Sequence, residues 1–175
     1  MATVNDGRTG TRWDFGSGAR FRASLDVPLS RSASLGVAGT WARMPLRYSS
    51  LGGAAAPIDV DAHADVSSLL LSFYGGGGEG LHQVLSAAAG AVRFDKFTDD
   101  RTGEALAPSR DLDFAFNIGY GFGYSLNARA QIVLLQEYGL VLHQRAGLSN
   151  NASTSIQQSV TSLAFRYGFG ARARR

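Results

Sequence analysis

The sequence predicts an all-β fold, an antiparallel up-and-down β-barrel of about eight strands that crosses a membrane. Apolar residues occupy every second position over long segments, which is the period of a β-strand. Short and long connections alternate along the chain, as in a transmembrane barrel with turns on one side and loops on the other. No stretch of about eighteen apolar residues is present, which excludes a membrane-spanning helix.

The composition is that of one folded domain. The chain has 175 residues and no abrupt change of composition, so we expect a single β-barrel domain over residues 1–175. Cysteine is absent, which excludes disulfides and thiolate metal sites. The formal charge is +3, but the arginines are spread along the chain among aspartates. A nucleic-acid footprint is normally clustered, so nucleic acid is not an expected partner.

The clearest strand runs from Asp111 to Leu126, where apolar side chains alternate with polar or small ones. The same alternation occurs from Trp13 to Val27 and from Ile58 to Val66. Between Val66 and Leu69 the apolar parity switches, which predicts a bulge near Ser67 and Ser68. Weaker strands are predicted at Ala33 to Tyr48, Leu81 to Asp95, Arg129 to His143 and Ile156 to Gly170.

The connections between these strands sort into two lengths. The short ones are Pro28 to Ser32, Tyr74 to Gly80 and Leu126 to Ala128. The long, polar ones are Ser49 to Pro57, Lys96 to Arg110 and Gln144 to Ser155. We expect the short turns on the periplasmic side and the long loops outside.

The apolar face of the strands is expected to point outward. The predicted strands are long enough to span a bilayer, and aromatics near their ends, such as Trp13, Phe15, Trp41 and Tyr48, are expected to form interfacial girdles. The other face mixes glycine and serine with charges of both signs, which a narrow barrel interior accommodates. A soluble lipocalin-like barrel, with its apolar face inward around a ligand, is the alternative.

The terminal stretch from Leu163 to Gly170 alternates aromatics with small or charged residues. With the strand pattern before it, the chain resembles the OmpA/OmpX-like family of small outer-membrane barrels. The resemblance implies a porin-like cell-envelope protein in the outer membrane of a Gram-negative bacterium. It also implies membrane lipid as a partner and Phe165, Tyr167 and Phe169 as a signal read by the outer-membrane assembly machinery. The basic tail 171–175 departs from the family pattern, which ends on the final aromatic.

Seven strands are clearly visible, whereas bacterial single-chain barrels have an even number. Residues 1–10 are expected to be a loop or the remnant of a first strand that is short or missing. Closure would then require Ala2 to Arg8, direct pairing of the outer strands, or a strand from a partner chain, because unpaired edges are costly in lipid.

Charged residues on the polar face are expected to form a salt-bridge network that plugs the interior, since buried charges must be paired. A gated ion path through this plug is the alternative. Asp59, Asp61, His63 and Asp65 could also suggest calcium, but same-face residues about 7 Å apart are too widely spaced for one ion. The network residues are Arg20, Arg22, Asp26, Asp59, Asp61, Asp65, Arg93, Asp111, Asp113, Arg129, Glu137 and Arg166.

No catalytic, cofactor or metal residue is assigned. His143 with Ser149 and Ser153 has the residue types of a lipid-modifying enzyme, but no acid lies nearby in sequence. The expected function is structural or adhesive, with recognition through the long outer loops. The alternatives are an outer-membrane lipid-modifying enzyme and a soluble ligand-binding barrel.

Overall fold

A computed structural model describes residues 2–6, 10–50, 59–106, 111–143 and 154–168. No helix that could cross a membrane occurs among these residues. Their strands are β1 (Ala2–Asp6), β2 (Thr11–Phe15), β3 (Arg20–Pro28), β4 (Ala33–Ser50), β5 (Asp59–Gly75), β6 (Gly80–Asp99), β7 (Ala105–Leu106), β8 (Asp111–Ser125), β9 (Ala130–His143) and β10 (Thr154–Tyr167).

The strands form one antiparallel sheet in the order β1-β2-β4-β5-β6-β8-β9-β10, with β3 paired to β4 and β7 to β6. The sheet curls into a half-barrel, and at one end β1 returns beside β10, with some Cα atoms within 8 Å. β2 and β3 pair with successive stretches of one edge of β4, so they are two pieces of one interrupted strand. The all-β, antiparallel class predicted from the sequence is confirmed.

The interruption between β2 and β3 has a local cause in β4. The Gly16 amide donates to the Pro45 carbonyl at 2.7 Å, so this peptide edge of β4 faces the interrupted strand. Proline has no amide hydrogen to return, and the ladder stops there. A Cβ at Gly18 would lie 2.9 Å from the Arg43 carbonyl oxygen, so the break requires small residues. The predicted continuous strand from Trp13 to Val27 is therefore wrong.

The sheet has an inner face, toward which the buried side chains point, and an outer face. Its lower half ends at the short connections 29–32, 76–79 and 126–129. Its upper half ends at the long connections 51–58, 100–110 and 144–153. In β8 the apolar set points outward, with Phe114 52% and Phe122 47% exposed, whereas Ala115 is only 2% exposed. The outward direction expected for this strand is confirmed.

In the upper half the apolar side chains lie on the inner face and the charged side chains on the outer face, the reverse of the lower half. There the inner face carries an apolar cluster, and the outer face carries paired charges such as Arg47 with Asp59. Trp13 and Phe97 form the centre of the cluster, with ring centroids 4.7 Å apart. The same cluster continues into the lower half with Leu70, Ala88 and Ala115. Its members in the upper half, which we call the upper core, are Trp13, Phe15, Leu46, Tyr48, Ala62, Ala64, Val92, Phe94, Phe97, Val141 and Ile156. The girdle expected at Trp13, Phe15 and Tyr48 is thus wrong, because these side chains are buried.

The predicted bulge near Ser67 and Ser68 is also wrong. The β4–β5 register runs uninterrupted through both residues. The apolar parity switches there because the two faces exchange environments while the backbone continues. The irregularity lies in β6, where Ala64 of β5 pairs with Phe97 and Asp65 pairs with Asp95, so Lys96 is the extra residue.

Candidate functional site

The outer face of the lower half carries a continuous belt of exposed apolar side chains over seven strands, β3 to β6 and β8 to β10. We call it the outer belt. Its large members are Phe21, Leu25, Val27, Leu35, Val37, Trp41, Leu69, Leu71, Phe73, Leu81, Leu85, Leu112, Phe114, Phe116, Ile118, Tyr120, Phe122, Tyr124, Ile132, Leu134, Tyr138, Leu163, Phe165 and Tyr167.

Gln136 is the polar exception on the outer face of β9, and its side-chain amide is satisfied locally. Its nitrogen donates to Ser159 Oγ at 2.8 Å, and its oxygen accepts from Thr161 Oγ1 at 2.5 Å. Both partners lie on β10, where the outer face becomes polar above Leu163.

The inner face of the lower half carries an ionic cluster centred on Glu137. Arg20 Nη2 donates to Glu137 Oε2 at 2.9 Å, and Arg22 Nη1 donates to Glu137 Oε1 at 2.7 Å. The Glu137 side chain is only 3% exposed. Both arginines come from β3 and the carboxylate from β9, so the cluster bridges the inside of the curl. Arg20, Arg22 and Glu137 all belong to the network predicted from the sequence, and in the structure they form ion pairs with one another.

Glycines on the inner face make room for this cluster. A Cβ at Gly119 would lie 2.5 Å from Ser86 Oγ and 3.0 Å from Glu137 Cγ. A Cβ at Gly139 would collide with Asn117 Oδ1. The glycine-rich polar face of β8 therefore follows from the volume that the inner side chains occupy.

A second ionic cluster lies nearer the short connections. Arg166 Nη2 of β10 donates to Asp26 Oδ2 of β3 and to Ser34 Oγ of β4, both at 3.0 Å. The Arg166 guanidinium also lies over the Tyr74 ring, 3.4 Å from its centroid. Ser34 and Tyr74 were not predicted as partners, because register between distant strands is needed to bring them to Arg166.

Five predicted members of the inner network lie elsewhere, and for these the prediction is wrong: Asp59, Asp61, Asp65, Arg93 and Arg129. Asp59, Asp61 and Asp65 lie on the outer face of the upper half, because Ala62 and Ala64 occupy the inner positions of β5. Arg93 is also on the outer face, 3.3 Å from Asp95. Arg129 lies exposed in the connection between β8 and β9.

The remaining predicted residues lie in several different places. Asp113 is buried on the inner face. Phe165 and Tyr167 are exposed on the outer face of β10. The side chains of Asp111 and His143, together with Ser149, Ser153, Phe169 and the tail 171–175, lie outside the described residues.

The outer face of the upper half is a set of arginine–aspartate pairs. Arg43 Nε donates to Asp65 Oδ1 at 2.9 Å, and Arg47 Nε donates to Asp59 Oδ1 at 2.7 Å. The Asp65 hydrogen bond raises the pKa of Arg43. The Arg47 hydrogen bond lowers the pKa of Asp59, and the pKa of Arg47 is raised in turn.

Two further carboxylates of the upper half are held in their charged form. The Thr3 hydroxyl donates to Asp14 at 2.6 Å, and this hydrogen bond, followed by that from Arg12, lowers the pKa of Asp14. The backbone amides of Arg101 and then Thr102 lower the pKa of Asp99.

An open cleft of about 410 Å³ lies at the upper rim, lined by Asp59, Val60, Asp61, Asp99, Asp100 and Arg101. His63 Nδ1 and Asp100 Oδ1 lie 2.5 Å apart beside it. Among the described side chains, no group of three or more His, Cys, Asp or Glu residues could hold a metal ion.

Comparison of the chain with protein-family models, with curated proteins and with solved structures gives no match.

Proposed function

We propose that the protein is an outer-membrane β-barrel protein with a structural or adhesive role. Its lower half lies in the bilayer, and its upper half projects from the membrane and carries the long connections. The observation that carries this proposal is the outer belt over a lower half whose inner face contains paired charges.

The extent of the outer belt favours contact with lipid acyl chains rather than with water. The largest apolar patch on a soluble monomer covers about 300–600 Å², whereas this belt continues across seven strands. On β6 the outward run from Leu81 to Ala91, which is apolar except for the exposed Gln83, is close to the roughly 9–11 residues that a tilted strand needs to cross a bilayer. The hydrogen bonds of Gln136 satisfy the polar side chain at mid-height on the outer face of β9.

The inner face of the lower half argues against a soluble ligand-binding barrel. Such a barrel would require an apolar lining around its ligand. The inner face of the lower half does carry a small apolar cluster of Val84, Val133 and Leu135. Beside this cluster, however, Glu137 binds two arginines, and Arg166 binds Asp26, Ser34 and the Tyr74 ring. Because these charges pair with one another, the inner face is better suited to plug the curl than to hold an apolar ligand.

A recognition role is located in the upper half. Its interior is filled by the upper core, which makes it a rigid support for the connections 51–58, 100–110 and 144–153. Binding residues are commonly held on loops that a rigid scaffold positions. We therefore propose contact with partners through these connections and the charged outer face beside them.

The two tryptophans of the chain provide a direct test. Trp41 belongs to the outer belt and is 45% exposed, whereas Trp13 is 0% exposed on the inner face. In vesicles with brominated acyl chains, we expect Trp13→Phe, which keeps Trp41, to show strong quenching. We expect Trp41→Phe, which keeps Trp13, to show little.

Equal quenching of the two variants would contradict the assignment, and so would a protein that stays in the aqueous fraction without detergent. The same preparations should show heat-modifiable migration on a gel, which reports a folded membrane barrel. Mass spectrometry of lipid A in cells with and without the gene tests the lipid-modifying alternative.

A further inference from the structure

A row of polar side chains crosses the inner face of the lower half at mid-height, and each is separated from the next by a glycine or an alanine. The register of the strand pairings from β3 to β10 places these residues side by side. We call this row the polar layer. In order across the sheet its members are Asp26, Gly36, Ser72, Ala88, Asn117, Gly139 and Gln158.

The polar layer lies between two different environments. One inner position higher, Leu70 on β5, Ala115 on β8 and Val141 on β9 are each 2% exposed and belong to the apolar cluster that contains the upper core. One inner position lower, Glu137 on β9 binds its two arginines. Apolar side chains therefore cover the layer from above, and ionised groups lie below it.

Two oxygen atoms of the polar layer are buried without a protein partner. Ser72 is 3% exposed and Asn117 is 5% exposed. Neither Ser72 Oγ nor Asn117 Oδ1 has a hydrogen-bond partner among the described residues. Leaving a buried polar atom unsatisfied shifts the unfolding equilibrium roughly tenfold toward the unfolded state. Native proteins therefore supply such atoms with a protein group or an ordered water.

The small residues of the layer explain why no protein group reaches these two oxygens. Ser72 pairs with Gly36 on one side and Ala88 on the other, so neither neighbour offers a side-chain donor or acceptor. Asn117 lies between Ala88 and Gly139. A Cβ at Gly139 would collide with Asn117 Oδ1 and lie 3.1 Å from Gln158 Nε2. Both amides thus lean over this glycine, yet Gln158 makes no hydrogen bond to the Asn117 oxygen.

The charges of this inner face favour a neutral ligand. The arginines are matched one for one by carboxylates, so the described side chains around the layer leave no excess charge to attract an ion of either sign. The groups counted are Arg20, Arg22 and Arg166 against Asp26, Asp113 and Glu137.

Water has the hydrogen-bonding capacity that both oxygens require. A water over Gly139 would accept from Gln158 Nε2 and donate to Asn117 Oδ1. A second water over Ala88 would bind the Ser72 hydroxyl, with the Ser86 hydroxyl one inner position below. Buried waters typically make about three hydrogen bonds to otherwise unsatisfied polar groups, and such bridges are nearly as favourable as direct hydrogen bonds.

We propose that the polar layer is a binding site for a short chain of ordered water molecules. The chain runs across the inside of the curl from Ser72 to Gln158, between the apolar cluster above and the Glu137 cluster below. It satisfies the two buried oxygens that the fold leaves unpaired. This inference goes beyond the proposed function and does not depend on it, because the layer lies on the inner face.

Radiolytic labelling in detergent micelles tests the site, because hydroxyl radicals formed by an X-ray pulse oxidise side chains that contact water, whether bulk or bound. Leu70→Met places an easily oxidised thioether directly above Ser72, and Leu46→Met is the matched control in the upper core. Leucine and methionine exchange with little loss of stability. Leu70 is 2% exposed and Leu46 is 5% exposed, so bulk water alone would oxidise position 46 faster. We expect oxidation at position 70 to be severalfold faster.

Oxidation at position 70 that is no faster than at position 46 would overturn the proposal. Adding Ser72→Ala and Asn117→Leu to Leu70→Met removes both oxygens and should lower the rate at position 70 to that at position 46. An unchanged rate would show that the oxidising water lies elsewhere and would also overturn the proposal.

Ser72→Ala alone gives a second measurement by urea unfolding. If the hydroxyl were dry, its removal would shift the unfolding equilibrium about tenfold toward the folded state. We expect no such gain, because a hydrated hydroxyl carries no such penalty, and a tenfold gain would contradict the proposal. Neither measurement involves the outer belt, so a failure here is distinguishable from a failure of the membrane assignment.

Discussion

Replacement of Glu137 by glutamine tests the ionic cluster on the inner face. The substitution keeps the side-chain volume but removes the charge that two arginines share at 2.9 and 2.7 Å. Removing one partner of a buried ion pair costs about 3–5 kcal/mol. Because Arg22 is 26% exposed, we expect the lower end, about 3 kcal/mol, or roughly a hundredfold change in the unfolding equilibrium.

Urea unfolding in detergent micelles, followed by tryptophan fluorescence and gel mobility, measures this loss. Glu79→Gln is the matched control, because Glu79 is exposed in the connection between β5 and β6. The triple variant Arg20→Gln, Arg22→Gln, Glu137→Gln should be more stable than Glu137→Gln alone, since it leaves no unpaired charge in this cluster. The reasoning is refuted if Glu137→Gln unfolds like the control.

Two further predictions concern the upper half. Trp13→Ala empties the centre of the upper core beside Phe97 and should lower the free energy of unfolding by about 4 kcal/mol, measured by the same urea titration. A loss below about 1 kcal/mol would show that this side chain is not packed as described. Acidification should loosen the upper half around three of its carboxylates, because their folded-state pKa values lie below the ordinary value of 3.8. The stability they contribute is present above that value and is lost as the pH falls through the folded pKa values. Hydrogen exchange should therefore rise first near these residues as the pH falls, and uniform loosening would contradict the prediction. The carboxylates concerned are Asp14, Asp59 and Asp99.

Strand positions were predictable wherever one face keeps one environment throughout. The segment from Asp111 to Leu126 alternates without interruption, and β8 spans Asp111–Ser125 with its large apolar residues outward. The segment from Trp13 to Val27 was misread because Pro45, on a different strand, interrupts the pairing. Periodicity along one strand contains no information about its neighbour.

Only part of the site could be predicted, and the reason is related. Arg20, Arg22 and Glu137 were placed on the inner face from parity, and they lie together there. Asp59, Asp61 and Asp65 were placed inward because the polar set was assumed to point inward along the whole chain. That assumption fails above the outer belt, where water replaces the proposed hydrocarbon and the polar set points outward. Alternation identifies two faces, but the surrounding solvent decides which one is buried.

The extension of β4 above the outer belt has a practical consequence. β4 continues past Trp41 to Ser50, which at ~3.4 Å per residue is about 30 Å of strand. If the lower half lies in an outer membrane as proposed, a foreign epitope spliced into residues 51–58 would be separated from the bilayer by this length of paired strand. This chain would then serve as a compact carrier for displaying peptides on living cells.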